Sequence, residues 1–339
     1  MIKRLKELCA IDGVSGWEDA VRDYLREAAE PYADEIRVDT MGNLLVFRKG
    51  AEKNAGRTLM VEAHMDEVGL IVRGATDDGY LKFGTAGGID RRVLLAKTVR
   101  CGSAKIPGVI GVKPVHMLKS SEKKTIPDLN DLYIDIGASG KDDALKKVPL
   151  GEPCAFDTVP EEFGKGFFKA KAIDDRAGCA AALRLLTEEP PTDTWFAFTA
   201  QEEVGLRGSR TAAYAVNPDA ALILEGTTAA DLPGSEGAQS VCAPGKGVVI
   251  SYMDGSAVYD RALFEKLRNL ADAEKIPWQL KKTVAGGTDA GGIQRSRRGV
   301  PVAGLAAAVR YIHAPVSVAS LEDIENLYKL AKRFINERG

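Results

Sequence analysis

The sequence predicts an α/β domain interrupted by a small all-β insertion, a barrel or sandwich, and three observations carry that prediction. Helical and strand patterns alternate near both ends of the chain, as folds with a parallel sheet require. Between about residues 67 and 164 the alternation stops. That stretch is rich in Gly, Pro and short β-branched runs such as Gly69-Leu70-Ile71-Val72 and Leu132-Tyr133-Ile134-Asp135-Ile136, separated by turn signals. The length of 339 residues suits two domains, or one large domain with an insertion. The expected division is 1–66 and 165–339 for the two parts of the α/β domain and 67–164 for the insertion.

Residues 2–10 read as a short helix. Ser15, with Glu18 three residues on, spells a capping box and predicts a helix to about Glu30. Ile36 to Phe47 reads as two short strands around Met41-Gly42-Asn43, and Thr58 to His64 as a strand ending on the first histidine. In the insertion only Lys141–Lys147 has a helical pattern. Beyond Phe168, a helix rich in Ala and Leu is expected over Arg176–Thr187. Strands follow at 195–200, 220–224 and 247–253, then a long helix at 259–273. An apolar run at 302–312 and a helix over Leu321–Asn336 close the chain.

Composition excludes several classes. Apolar content is 45%, charged content 28% and formal net charge −2, so no strong field points to nucleic acid or an acidic membrane. No apolar stretch is long enough to span a bilayer, and the N-terminus lacks the apolar core of a signal peptide. The five cysteines are scattered and never spaced C-x-x-C, which argues against a disulfide framework or a cysteine zinc site and fits a reducing cytoplasm.

The chemistry concentrates at the ends of apolar runs. Glu202 and Glu203 follow Trp195-Phe196-Ala197-Phe198-Thr199-Ala200-Gln201, where two adjacent carboxylates are costly unless something compensates their charge. A metal ion is one compensation: one glutamate binds it while its neighbour moves a proton. His64, Asp174, Glu225 and His313 also stand at strand ends, and in open α/β sheets ligands bind outside the carboxyl ends of the strands. Two imidazoles and three carboxylates suit zinc or a similar divalent ion, and two ions could share one carboxylate. Asp66 lies two residues beyond His64, on the same face by strand periodicity, and could hold the second ring nitrogen.

Each residue also has a plainer explanation. Asp174-Asp175 could be an acidic helix N-terminus, the expectation for Asp175 above all. Glu225 could be a turn residue, His313 a strand cap and His116 a surface histidine of the insertion. The run Gly286-Gly287-Thr288-Asp289-Ala290-Gly291-Gly292 spells no phosphate-binding motif.

In order along the chain, Ala63-His64-Met65-Asp66-Glu67-Val68-Gly69, Ala172-Ile173-Asp174-Asp175-Arg176, Gln201-Glu202-Glu203-Val204-Gly205-Leu206-Arg207-Gly208, Gly287-Thr288-Asp289-Ala290 and Arg310-Tyr311-Ile312-His313-Ala314-Pro315 resemble the glutamyl aminopeptidase family of tetrahedral (TET) dinuclear metallopeptidases, once labelled cellulases or endoglucanases. The resemblance extends over nearly the whole chain. It implies a mixed-sheet α/β/α zinc-peptidase domain with a β insertion that dimerises, and dimers that build a hollow tetrahedral dodecamer. It implies two divalent ions per subunit, zinc or cobalt. His64 and Glu225 would hold one ion, Glu203 and His313 the other, and Asp174 would bridge them. Asp66 would orient His64. Glu202 would be the general base that takes a proton from a metal-bridging water and passes it to the leaving amine of a peptide substrate. Glu225 stands where many members carry aspartate, Ala308 where proline is common and Ala314 where serine is common.

The expected activity is therefore aminopeptidase. The alternative is a related dinuclear metallohydrolase, a carboxypeptidase or N-acyl amino acid deacylase, which would use the same ligands. A glycosidase would give the histidines no role, and three tryptophans offer little sugar stacking. A non-catalytic scaffold would be expected to have lost a ligand or the base. Loops at about 226–246 and 285–299 are expected to line the specificity pocket.

Overall fold

Apolar runs buried on both faces build the centre of the molecule, which a computed structural model describes over residues 1–51, 56–235, 241–282 and 286–337. Helices α1 (Ile2–Ala10) and α2 (Asp19–Ala29) lead to strands β1 (Glu35–Val38), β2 (Leu44–Arg48) and β3 (Thr58–His64). Strands β4 (Gly69–Ala75), β5 (Leu81–Ala86), β6 (Thr98–Cys101), β7 (Ile106–Gly111) and β8 (Tyr133–Asp135) precede helix α3 (Lys141–Lys147) and β9 (Pro153–Phe156). Then come β10 (Glu161–Phe163), β11 (Phe167–Ala170), α4 (Ile173–Leu186), β12 (Asp193–Thr199), α5 (Arg207–Val216), β13 (Ala220–Thr228) and β14 (Val248–Ser251). The chain closes with α6 (Arg261–Ala273), β15 (Trp278–Leu280), α7 (Ala290–Gln294), β16 (Val302–Arg310), β17 (Ser317–Ser320) and α8 (Leu321–Asn336).

Eleven strands form one mixed sheet in the order β1-β2-β12-β3-β13-β16-β17-β11-β10, with β14 beside β16 and β15 beyond it. The central strands β12, β3, β13 and β16 are parallel. β17 runs against β16 and β11 against β17, so β11 points the same way as the central four. Alternate residues of these strands feed two different cores. Val61, Ala63, Phe196, Phe198, Leu222 and Leu224 pack with α1, α2, α4, α6 and α8 on one face. Met60, Trp195, Ala197, Ala221 and Ile223 pack with α5 and α7 on the other. The result is an α/β/α sandwich with, among the described residues, five helices on one face and two on the other.

The other six strands close into a barrel, β4-β5-β8-β7-β6-β9, around Leu70, Val72, Phe83, Ile110, Ile134 and Phe156. α3 is its one α-helix among the described residues, beside four short 3-10 turns. The strand Glu161–Phe163 pairs with β11 in the large sheet, so the barrel's own pairing ends at Phe156. Ion pairs join the two units: Arg100 of β6 reaches Asp12 and Asp157, while the buried Lys171 reaches Asp12 and Glu67.

Three local expectations are corrected. α2 begins at Asp19, and neither Ser15 nor Glu18 caps it through its side chain; both are turned to partners elsewhere. β13 does not stop at Leu224 but runs on to Thr228, because Glu225–Thr228 pair with Ala306–Val309 of β16. The run at 302–312 ends as a strand at Arg310, since Tyr311 and His313 turn into left-handed backbone.

Candidate metal centre

With β12, β3, β13, β16 and β11 all running one way, their carboxyl ends share one edge of the sheet. His64 is the last residue of β3, and Glu225 lies within β13. Asp174, Glu203 and His313 lie just past β11, β12 and β16, on turns with non-glycine residues in left-handed backbone at Ala172, Gln201, Leu206, Tyr311 and His313. Such residues are rare and cluster where surrounding structure over-determines a functional turn. Period two also puts Glu62 and His64 on the α5/α7 side of the sheet with Met60, and Thr199 and Glu225 on the same side.

The side chains form two groups that meet at Asp174. His64 Nε2 lies 3.2 Å from Glu225 Oε1 and 3.4 Å from Asp174 Oδ1. His313 Nε2 lies 3.1 Å from Glu203 Oε2 and 3.6 Å from Asp174 Oδ2. Asp174 thus offers one oxygen to each imidazole. The other nitrogen of each ring faces an acceptor: His64 Nδ1 is 3.2 Å from the Asp66 carbonyl, and His313 Nδ1 is 3.1 Å from the Gly88 carbonyl. If those nitrogens carry the protons, each Nε2 lone pair points at carboxylate lone pairs. That is repulsive unless a cation sits between them.

The donor set therefore fits a metal, and the electrostatics agree. Ligand atoms of His64, Asp174 and Glu203 lie within 4.8 Å of one another, as do those of His64, Asp175 and Glu225. Asp174 Oδ1 is buried with no hydrogen-bond partner, an oxygen that a cation would satisfy. Among the protein groups alone, the same crowding shifts both rings and several carboxyls upward. Burial opposes charge on His64, but Glu225, Asp174 and Asp66 outweigh it and hold the ring well above its ordinary range. His313 is raised to about 9, burial again being outweighed by Asp174 and Glu203. Burial pushes Glu203 up to about 8, and raises Glu225 and Glu202 as well.

Asp66 does more than face His64. It is fully buried, its Oδ1 accepts the Glu202 N–H at 2.9 Å, and its Oδ2 accepts the Glu203 N–H at 3.1 Å. β3 ends at His64, so the pairing of residues 64 and 66 owes to this loop and not to strand periodicity. Glu202 is buried beside the ligands, with His64, Glu225, Asp289 and Glu203 as electrostatic neighbours.

Sequence reasoning passed over three acids. Asp175 caps its helix, its Oδ1 accepting the Gly178 N–H at 2.9 Å, but its buried Oδ2 has no hydrogen-bond partner and it belongs to the second ligand group. Glu62 and Asp289 both meet the Thr199 hydroxyl at 2.7 Å. A hydroxyl has one proton, so both contacts are hydrogen bonds only if one acid is protonated, and burial raises both. The available signal was Glu62 itself, a charge inside an apolar strand two residues before His64. His116 is exposed on the barrel, away from these groups. Of the loops expected to line the pocket, residues 236–240 and 285 lie outside the described residues. A small cavity adjoining Glu225 is lined by Thr227, Ser251, Tyr259, Lys281 and Thr288.

Residues 42–330 match the family model for M42 glutamyl aminopeptidase. The chain is 31% identical over 341 residues to lysyl aminopeptidase of Pyrococcus furiosus, covering 98% of this chain and 96% of that protein. Its structure resembles aminopeptidase APDkam598 from the archaeon Desulfurococcus kamchatkensis, with a TM-score of 0.94, 35% identity and coverage of 99% and 94%. It also resembles the TET1 peptidase of Pyrococcus horikoshii, described as assembling into a tetrahedron or a large octahedral shell, with a TM-score of 0.88, 32% identity and 99% coverage of each chain.

Proposed function

Because this chain belongs to the M42 glutamyl aminopeptidase family and is thus a metal-dependent aminopeptidase, we propose a specific division of labour among its acids and imidazoles. His64 and Glu225 hold one divalent ion and Glu203 and His313 a second, with Asp174 between them; zinc or cobalt suits the donors. When bound, the ions supply Lewis acidity toward the scissile carbonyl and acidify the attacking water. The observation that carries this reading is Asp174, whose two oxygens each face a different imidazole.

The chain's own residues do the rest. Glu202 takes a proton from the attacking water, whose oxygen bonds to the carbonyl carbon. As the carbon–nitrogen bond breaks, Glu202 gives that proton to the departing amine, so one group serves as base and then acid. Its burial beside the ligands keeps it close to the attacking water and out of bulk solvent, which suits both roles. Asp66 orients the His64 ring and holds the turn that carries Glu202 and Glu203. A carboxypeptidase or deacylase is not favoured, because the matched family and relatives are aminopeptidases.

We further propose that the protein works on peptides as a homo-oligomer, with a dimer through the barrel as building block and a tetrahedral dodecamer as the full assembly. The assembly of the similar TET1 peptidase supports this. A cytoplasmic setting is supported by five free cysteines, and no helix among the described residues is long and apolar enough to cross a membrane. The deciding experiment is metal content in the purified protein and in Asp174→Ala. Two ions per chain are expected in the first and at least one fewer in the second, with loss of aminoacyl-anilide hydrolysis. Unchanged content and turnover in Asp174→Ala would refute the bridging assignment.

A further inference from the structure

Beyond the end of β12, four consecutive backbone N–H groups each find a side-chain oxygen from a remote part of the chain. Ala200 donates to Asn43 Oδ1 at 2.9 Å, Gln201 to Glu18 Oε1 at 3.0 Å, Glu202 to Asp66 Oδ1 at 2.9 Å and Glu203 to Asp66 Oδ2 at 3.1 Å. Donors at a strand exit have lost the ladder, and a turn usually satisfies them with its own backbone or with water. Here three residues from more than 130 positions away perform that task. Gln201, immediately before the proposed base, sits at φ 59, so its peptide adopts a conformation that a non-glycine residue rarely takes unaided.

The stretch from Gly13 to Glu18 organises both halves of this clamp. The Ser15 hydroxyl donates to Asp66 Oδ2 at 2.5 Å, and Glu18 Oε1 accepts the Gly16 N–H at 2.7 Å as well as that of Gln201. Backbone bonds tie the same stretch to the residues after His64: Ser15 N–H to the Glu67 carbonyl at 3.2 Å, and Glu67 N–H to the Gly13 carbonyl at 2.9 Å. Ser15 and Glu18 are both buried. Their capping-box spelling caps no helix, and they turn instead toward the loop that carries Glu202.

We propose that Glu18 and Ser15 are positioning residues for the peptidase reaction: Glu18 fixes the Gln201 peptide, Ser15 fixes Asp66, and together they set where the Glu202 and Glu203 carboxylates point. The proposal rests on Glu202 being the proton shuttle. Asn43 shares the clamp but also bonds Gly208 and Thr211, so its removal would disturb α5 too.

The test uses the metal-loaded enzyme and an aminoacyl anilide. Misplacement of a catalytic group by about 1 Å can cost ~100-fold in rate, so Glu18→Ala should lower kcat by roughly 10- to 100-fold. KM should stay within about twofold, with kcat compared at saturating metal so that any weaker hold by Glu203 does not enter. Glu18→Gln, which keeps an acceptor oxygen on the same stem, should restore most of kcat. Amide hydrogen exchange of a peptide spanning residues 196–206 should speed up in Glu18→Ala and not in Glu18→Gln. Wild-type kcat and exchange in Glu18→Ala would overturn the proposal, as would equal loss in both variants with unchanged exchange. If Glu18→Ala does not fold, Ser15→Ala removes one hydroxyl and should lower kcat severalfold with faster exchange; no change in either also overturns it. Glu202→Gln separates the two readings: full activity there defeats the proton-shuttle role, while exchange at 196–206 still decides whether Glu18 holds the turn.

Discussion

Each imidazole of the centre gives one nitrogen to a carbonyl and the other to carboxylates, so ring orientation and ligand role are settled together. The same economy applies to Glu202, whose backbone is held by Asp66 while its carboxyl stays beside the ligands. Glu202→Gln should therefore lower kcat on an aminoacyl anilide by ~1000-fold, the scale of a lost general acid–base, with metal content unchanged. The gathering of these seven acids and histidines at one edge of the sheet was legible, because such groups near the ends of apolar runs are costly without a purpose. Asp175 was not, because its capping bond to Gly178 is a sufficient reason for an acid at that position; only the unpartnered second oxygen, near His64 and Glu225, sets it apart from an ordinary cap. Glu62 and Asp289 depend on a contact through Thr199 between residues far apart in the chain, which no local pattern contains.

Among the elements, β13 is the instructive one. The strand was expected to stop at Leu224 with Glu225 as a possible turn residue, but pairing of Gly226–Thr228 with Ala307–Val309 continues the ladder and carries Glu225 inside a strand. Gly226 is small for a reason: a Cβ there would come 2.7 Å from Asp174 Oδ1. Gly226→Ala should cost about 1–3 kcal/mol as overpacking and, by displacing Asp174, lower both bound metal and anilide hydrolysis at least tenfold. Thermal melting and metal analysis on one sample separate the two effects, and full metal with full activity would contradict the assignment. The long helices and the barrel's β character were legible because burial on one face leaves a periodic trace. The start of α2 was misplaced because Ser15 and Glu18 fit a local cap, while their tertiary partners Asp66 and Gln201 lie beyond the reach of local patterns. Helix α5 went unexpected because Leu206 enters it from left-handed backbone with no side-chain cap to announce it.

For the whole molecule, the division into sheet and barrel matters through the charges that join them. Arg100 of the barrel grips Asp12 through two nitrogens, with Lys171 also 3.4 Å from that carboxylate. Burial would raise Asp12, but the Arg100 bond and the charges of Lys171, Arg100 and Lys105 hold it below its ordinary 3.8. A carboxyl depressed by folding stabilises above its unfolded value and loses that contribution as pH falls through the folded one. Asp12→Asn should thus cost about 2 kcal/mol at pH 7, and the difference from wild type should shrink as pH falls below about 3.8 in denaturant titrations. A gap that stays constant down to pH 2 would mean that the charge of Asp12 plays no part. The Gly88 carbonyl, finally, steadies a histidine that is 36% exposed, whereas His64 on the other side of Asp174 is 1% exposed. That difference in shelter becomes a difference in time. On the proposed two-ion assignment, metal should leave toward a colorimetric chelator in two phases of equal size, the fast one from the His313 side and accompanied by loss of turnover. His313→Ala should abolish the fast phase and leave the slow one, so the sheltered half of the centre keeps a memory of the metal that the open half has already surrendered.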